Sequence, residues 1–130
     1  MVKFICNKLG RDKGLQGFAS EKITLHYQLL QGNELCVALK EKLVEEAIEV
    51  QEACNEQEII AELADVLEVI DGLCKAYDIS LEQVIVEKEK RNQDRGGFET
   101  GLYIETIEMD KDNPRIEHFR KSPKKYPEIL

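Results

Sequence analysis

The sequence lacks several features that mark common protein classes. It has no tryptophan, three prolines and only two histidines, His26 and His118, far apart in the chain. Its four cysteines form no Cys-x-x-Cys pair, which favours reduced, partly buried thiols over a disulfide framework or a zinc site. No apolar run approaches the length of about 18 residues that spans a membrane, and the N-terminus lacks the apolar run of a signal peptide. We therefore expect a cytoplasmic protein without a membrane segment.

The overall composition is that of a folded, acidic protein. The 130 residues include 26 acidic and 18 basic side chains, for a net charge of -8, and 42% are hydrophobic. This apolar share is too high for a disordered acidic chain, and the length predicts one domain. A net negative charge is unfavourable for binding along DNA or RNA. A mainly helical domain that does not track nucleic acid is expected.

The negative charge is concentrated in one part of the chain. Residues 34–71 contain twelve acidic side chains and two basic ones, Lys40 and Lys42, whereas the rest of the chain is slightly basic. The simplest interpretation is a pair of amphipathic helices with a solvated acidic face. The alternative is that some of these acids face inward.

Hydrophobic periodicity predicts three helices in the middle of the chain. Asn33 is the expected N-cap of the first, and residues 55–57 form a polar turn before the second. Ser80 and Gln83 form a capping box before the third, which Gly96-Gly97 ends. The predicted helices cover residues 34–54, 58–76 and 81–94.

The flanking segments predict short strands and a separate tail. Residues 22–30 alternate apolar and polar side chains, which is typical of a strand, and residues 102–109 are expected to be extended too. Residues 1–109 would form the domain. Residues 110–130 contain all three prolines and a basic cluster, which favours a mobile tail over a segment that folds across a neighbouring subunit.

Four carboxylates lie on or beside the predicted apolar faces of the first two helices. At about 100° per residue, Glu46 and Glu62 fall inside the apolar arcs, and Glu49 and Asp65 fall at their edges. In an antiparallel hairpin, residues whose numbers add to the same total lie level. A turn near residue 55 places Glu46 opposite Asp65 and Glu49 opposite Glu62, so the four acids should converge.

Four ionised carboxylates cannot cluster on an apolar face without compensation. They share protons, or cations hold them, or they form the rim of a dimer interface and pair with Lys or Arg. Hard oxygen ligands favour Mg²⁺, Mn²⁺ or Ca²⁺. The Glu-x-x-His motif of di-iron bundles is absent, which argues against iron.

These residues resemble a known motif. Glu45-Glu46-x-x-Glu49, twelve residues, and then Glu62-x-x-Asp65 is similar to the metal motif of the all-α nucleoside triphosphate pyrophosphohydrolases, which include MazG-like proteins. The phosphoribosyl-ATP pyrophosphohydrolase-like branch is the most similar, because NKLGRDK at residues 7–13 resembles its NKLVRDK string and RGGFE at residues 95–99 its RGGFE string. The chain departs from that pattern at Gly10, where valine is expected, and at residues 14–16, where Gly-Leu-Gln replaces Ile-Pro-Glu.

The resemblance implies a fold and an activity. The fold would be a helix hairpin plus a third helix, forming a bundle completed by a partner subunit in a homodimer or homotetramer, with short flanking strands. The activity would be Mg²⁺- or Mn²⁺-dependent cleavage of a nucleotide between its α and β phosphates, releasing pyrophosphate. The implied metal ligands are Glu46, Glu49, Glu62 and Asp65. Glu45 lies outside the ligand arc and would support the ligands or orient the attacking water, or else be a solvated acid.

An anionic nucleotide also requires basic side chains. Three of the candidates precede the first helix, and three lie on one face around the third helix at spacing i, i+3 and i+7. For each of them singly, a solvated basic residue is the simpler interpretation. The six candidates are Lys8, Arg11, Lys13, Lys88, Arg91 and Arg95.

Two other functions stay open from the sequence. One is a non-catalytic helical dimerisation or regulatory module that binds nucleotide or metal, which the altered N-terminal segment would favour. The other is a purely structural bundle, whose melting temperature would not respond to Mg²⁺ or nucleotide.

Overall fold

The computed structural model describes every residue, Met1–Leu130. The chain divides into two compact units, Met1–Gln93 and Asp94–Leu130. It is mainly helical, as predicted, and contains no β-strand. No helix combines the length and the apolar character needed to cross a membrane. The five helices are α1 (Gly14–Ser20), α2 (Gly32–Glu52), α3 (Glu56–Ala76), α4 (Leu81–Arg95) and α5 (Ile116–Arg120).

Helices α2 and α3 pack against each other as a hairpin and form the scaffold of the first unit. The two helices are close together at Gly72, where an added Cβ would lie 3.1 Å from Leu39 Cδ2. Residues 39 and 72 add to 111, the same total as Glu46 with Asp65. The register expected from the sequence is therefore the one in which the two helices meet, and a small residue at position 72 permits the contact.

Side-chain caps explain where α3 and α4 begin. The Glu58 N–H donates to Asn55 Oδ1 at 2.9 Å, and the Cys54 N–H donates to Glu58 Oε2 at 2.7 Å. The predicted capping box of α4 is confirmed, because the Gln83 N–H donates to Ser80 Oγ at 3.1 Å and the Ser80 N–H donates to Gln83 Oε1 at 2.8 Å. These contacts satisfy backbone donors that a helix leaves unpaired in its first turn.

Two predicted helix boundaries are wrong by a few residues. Asn33 is not the N-cap of α2, because the helix already begins at Gly32 and its N-cap is Gln31, whose side chain makes no capping hydrogen bond. The turn between α2 and α3 is residues 53–55 rather than 55–57. Asn55 is the cap of α3, so the residues after it are helical.

Neither predicted strand forms. Residues 22–30 and 102–109 lie outside regular structure, and most of their apolar side chains are exposed, with Tyr27 at 63% and Tyr103 at 87%. Alternating hydrophobicity favours an extended backbone, but a strand also needs a hydrogen-bonded neighbour. Neither segment has one. The flanking strands of the predicted fold are therefore a wrong prediction.

The first unit encloses little apolar surface. The only buried hydrophobic residues are Cys36, Val69 and Cys74, all on the hairpin. Every residue of α4 is exposed. Val44 on α2 and Leu67 on α3 expose 62% and 61% of their surface. The hairpin thus positions its side chains by the contact between α2 and α3, without a third helix covering it.

The second unit contains the short helix α5, which the sequence did not predict. The Phe119 and Tyr126 rings stack edge to face with centroids 4.9 Å apart, and Arg120 Nε lies 2.6 Å from Glu128 Oε1. Helix α1 in the first unit was also not predicted. Both helices are too short for hydrophobic periodicity to reveal them.

Candidate metal centre

The hairpin brings three carboxylates together. Glu46 projects from the middle of α2, and Glu62 and Asp65 project from α3 one turn apart. One carboxylate oxygen from each side chain lies within 4.8 Å of the other two, and all three residues are half-buried. We call Glu46, Glu62 and Asp65 the acidic cluster. Because neither helix alone supplies the set, the cluster depends on the register of the hairpin.

The electrostatics of the cluster are most evident at Glu62. Partial burial is the largest factor that raises the pKa of Glu62, and the negative charges of Asp65, Glu49, Glu46 and Glu58 raise it further, in that order. Both factors disfavour the ionised carboxylate. A bound cation would remove the second factor, so the site is one at which positive charge is favoured.

Glu49 lies at the margin of the cluster. It is exposed, and it is not among the three residues whose carboxylate oxygens lie close together. Its charge nevertheless contributes to the raised pKa of Glu62. The structure therefore brings together three of the four residues that the motif indicated and leaves the fourth nearby.

Glu45 is held by two lysines. Its Oε1 lies 3.1 Å from Lys42 Nζ and 3.3 Å from Lys8 Nζ. Partial burial acts to raise the pKa of Glu45, but the hydrogen bonds and charges of Lys42 and Lys8 outweigh it and leave the pKa below its usual value. Glu45 is therefore more readily ionised, and a weaker base, than an unperturbed glutamate.

Lys42 is the residue that the sequence analysis missed. Its Nζ lies 3.5 Å from Glu46 Oε1 as well as near Glu45, and its side chain is only 19% exposed. The available signal was its spacing of three and four residues before Glu45 and Glu46, which brings side chains together on a helix. Lys42 links the acidic cluster to Glu45.

Arg11 reaches the cluster from the N-terminal part of the chain. Its Nη2 lies 2.7 Å from Asp65 Oδ1, across a separation of 54 residues. Together with Lys8 it is one of two predicted substrate-binding residues that the structure places against the acids.

Of the other four predicted substrate-binding residues, the three in the first unit form no ion pair with the cluster. Lys13 occupies the N-cap position of α1, but its side chain makes no capping hydrogen bond. Lys88 pairs with Glu89, and Arg91 pairs with Glu87, all within α4. Arg95 is the last residue of α4 and belongs to the second unit. Their roles stay predictions.

The donor set of the cluster fits a hard divalent cation. All donors are carboxylate oxygens, which Mg²⁺ and Mn²⁺ prefer over softer ligands. Two oxygens on opposite sides of a Mg²⁺ ion at about 2.1 Å lie roughly 4.2 Å apart, so oxygens within 4.8 Å of one another need to move little. A single ion could accept one oxygen from each of the three side chains.

A comparison with protein families identifies the family to which the chain belongs. Residues 18–92 match the family described as phosphoribosyl-ATP pyrophosphohydrolase. The chain belongs to this family. It therefore falls within the MazG-like all-α NTP pyrophosphohydrolase superfamily, and the resemblance found in the sequence is confirmed. Comparisons with curated proteins and with solved structures give no match.

The segment that matches the phosphoribosyl-ATP pyrophosphohydrolase family includes the whole hairpin and most of α4. All three residues of the acidic cluster, and Glu45 and Glu49, lie inside it. The strings at residues 7–13 and 95–99 lie outside it. Family membership points to a pyrophosphohydrolase. Lys8 and Arg11 lie in the N-terminal segment, which precedes the matched residues.

Proposed function

We propose that the protein is a Mg²⁺-dependent nucleotide pyrophosphohydrolase. It would cleave phosphoribosyl-ATP or a nucleoside triphosphate between the α and β phosphates and release pyrophosphate. The observation that carries the proposal is the acidic cluster, which lies within the segment that matches the family. Mn²⁺ would replace Mg²⁺, because both ions prefer oxygen ligands.

The proposed ligands are the cluster residues Glu46, Glu62 and Asp65, with Glu49 as a fourth at the margin. A divalent cation bound there would neutralise phosphate oxygens and lower the pKa of a bound water. The hairpin holds Glu46 on one helix and Glu62 and Asp65 on the other, so the donors are fixed before substrate arrives. Such fixed donors avoid reorganisation during the reaction.

Glu45 is proposed to act beside the ligands. Its low pKa keeps the carboxylate ionised, and Lys8 and Lys42 fix its position. An ionised, positioned carboxylate can accept a hydrogen bond from the attacking water and orient it. A base with a low pKa removes the proton less effectively than one near neutral pH, so we assign Glu45 an orienting role.

The proposed substrate contacts begin with Lys8 and Arg11. Both already lie against acids of the hairpin, and Arg11 can pair with a phosphate through two N–H groups. Lys13, Lys88 and Arg91 are proposed to contact the phosphates or ribose, and so is Arg95.

A homodimer or homotetramer is also proposed, in which a partner subunit completes the bundle. The support is the exposed apolar surface of the hairpin, including Val44, Ile60 and Leu67. Apolar patches of this kind commonly mark interfaces between proteins, and most soluble oligomers are symmetric homo-oligomers. A cytoplasmic location stays a prediction.

The test is an assay of pyrophosphate release. The protein is incubated with phosphoribosyl-ATP and a panel of nucleoside triphosphates, with Mg²⁺, with Mn²⁺ and with EDTA. We expect release from at least one nucleotide, and none in EDTA. The Glu62→Gln variant should lose activity by about a hundredfold or more, because even residues that support metal ligands cost tenfold to a hundredfold when changed.

Asp71→Asn is the matched control for this test. Asp71 is also an acid on α3, but it pairs with Lys75 at 2.9 Å and is not part of the cluster. Its activity should equal that of the unaltered protein. Tight nucleotide binding without any product would instead favour the non-catalytic module, and equal activity of the Glu62→Gln variant would remove the ligand assignment.

A further inference from the structure

The N-terminal segment, residues 1–13, carries charge of the opposite sign to the hairpin. It contains four basic residues and one acidic residue, whereas residues 34–71 contain twelve acidic and two basic. Two of the basic side chains reach the hairpin, and they reach different helices. Lys8 pairs with Glu45 on α2, and Arg11 pairs with Asp65 on α3. The short stretch between them thus contacts both helices at the level of the acidic cluster.

Arg11 occupies a carboxylate that the proposed metal centre needs. Its guanidinium lies 2.7 Å from Asp65 Oδ1, and Asp65 is one of the three residues whose oxygens converge. Arginine stays charged at every physiological pH, so it cannot lose its charge when a second cation approaches. A divalent ion and the guanidinium would repel each other while competing for the same acid.

We propose that the N-terminal segment is an internal counter-cation of the acidic cluster, and that Arg11 must release Asp65 when a divalent cation binds. The inference rests on the proposed metal centre. It adds a coupling between cation binding and the release of Asp65 by Arg11, which the centre alone does not require. The released guanidinium stays tethered beside the site, where pairing with a phosphate is favoured. Metal binding therefore prepares the segment for substrate.

The exposure of the pair suits such an exchange. The Arg11 side chain is 65% exposed and that of Asp65 is 39% exposed. Ion pairs this exposed change an equilibrium by at most about fivefold. The contact is strong enough to place the segment and weak enough for a divalent cation to displace it.

The first test measures Mn²⁺ binding, without nucleotide, by isothermal titration calorimetry. Arg11→Met should bind Mn²⁺ about three- to fivefold more tightly than the unaltered protein, because the ion no longer competes for Asp65. Lys75→Met is the matched control. Lys75 also pairs with an aspartate of α3, at 2.9 Å, but that aspartate is outside the cluster, so the affinity should stay the same.

A second pair of variants separates displacement from a general loss of positive charge. With Asp65→Asn present, Arg11→Met should change Mn²⁺ affinity by less than about twofold, because the two residues act through one contact. An equal gain in both backgrounds would overturn the proposal. Equal Mn²⁺ affinity of the unaltered protein and the Arg11→Met variant would also overturn the proposal, but it would not contradict the metal centre. No Mn²⁺ binding by either protein would overturn both the centre and the proposal.

A third measurement follows the segment directly and does not depend on the Asp65 variant. Cys6 is exposed within the segment, and Cys54 is the other exposed cysteine. A nitroxide attached to Cys6 in a Cys54→Ser background should show sharper EPR lines when Mg²⁺ is added, and Arg11→Met should show them without Mg²⁺. An unchanged spectrum at a Mg²⁺ concentration that saturates the site would overturn the proposal.

Discussion

At the scale of single residues, two glutamates of one motif have opposite electrostatic character. Glu62 lies among other acids and its pKa is raised, whereas Glu45 lies between two lysines and its pKa is lowered. The difference comes from their neighbours in three dimensions. A motif written as a string of Glu residues does not show which of them holds a cation and which is already paired.

This difference predicts opposite effects of charge removal on the metal-free protein. The raised pKa of Glu62 means that its contribution to folding is present below the unfolded pKa and is lost as the pH rises through the folded value. Glu62→Gln should therefore raise the melting temperature in EDTA at pH 7 by a few degrees. The gain should shrink as the pH falls and vanish well below the unfolded pKa of about 4.3, where both proteins are neutral at this position.

The Glu45→Gln variant is expected to have the opposite effect on the melting temperature. The lowered pKa of Glu45 means that its contribution to folding is present above the unfolded pKa and is lost as the pH falls through the folded value. The variant should melt a few degrees lower at pH 7 and approach the unaltered protein in acid. Thermal melts followed by circular dichroism measure both, and shifts of the same sign would contradict the electrostatic assignment.

At the scale of elements, a side-chain cap marks where α3, the second helix of the hairpin, begins. Asn55→Ala should lower the free energy of unfolding by about 1 kcal/mol, since it removes the acceptor of the Glu58 N–H. Asn33→Ala is the control, because α2 begins at Gly32 and Asn33 is not its cap. Urea denaturation measures both. If both variants lost the same free energy of unfolding, Asn33 would be the N-cap of α2 after all.

The helices could be predicted from the sequence more fully than the extended segments. The periodicity of α2, α3 and α4 repeats over several turns, and Ser80 with Gln83 marks one boundary. The alternation at residues 22–30 is as regular, but a strand also depends on a partner elsewhere in the chain. The same reasoning applies to the site. The cluster residues follow from two helices and their register, whereas the contact of Arg11 with Asp65 depends on a segment without periodicity.

At the scale of the whole molecule, the hairpin leaves several large apolar side chains open to solvent. Three hydrophobic residues are buried, while Val44, Ile60 and Leu67 each expose more than 60% of their surface. A domain of this length normally buries most of the apolar surface of its chain. The acidic cluster lies on the same hairpin, and the contact between α2 and α3 sets the register on which the cluster depends.

The last prediction is that the protein associates through this apolar surface. Sedimentation equilibrium should give a dimer or tetramer at micromolar concentrations. Ile60→Lys combined with Leu67→Lys should shift it towards the monomer, because burying two unpaired charges is unfavourable. Ile129→Lys is the control, since Ile129 is 78% exposed near the C-terminus, outside the hairpin, and its variant should associate normally. A monomer in the unaltered protein would show that the open face of the hairpin does not bind a second copy.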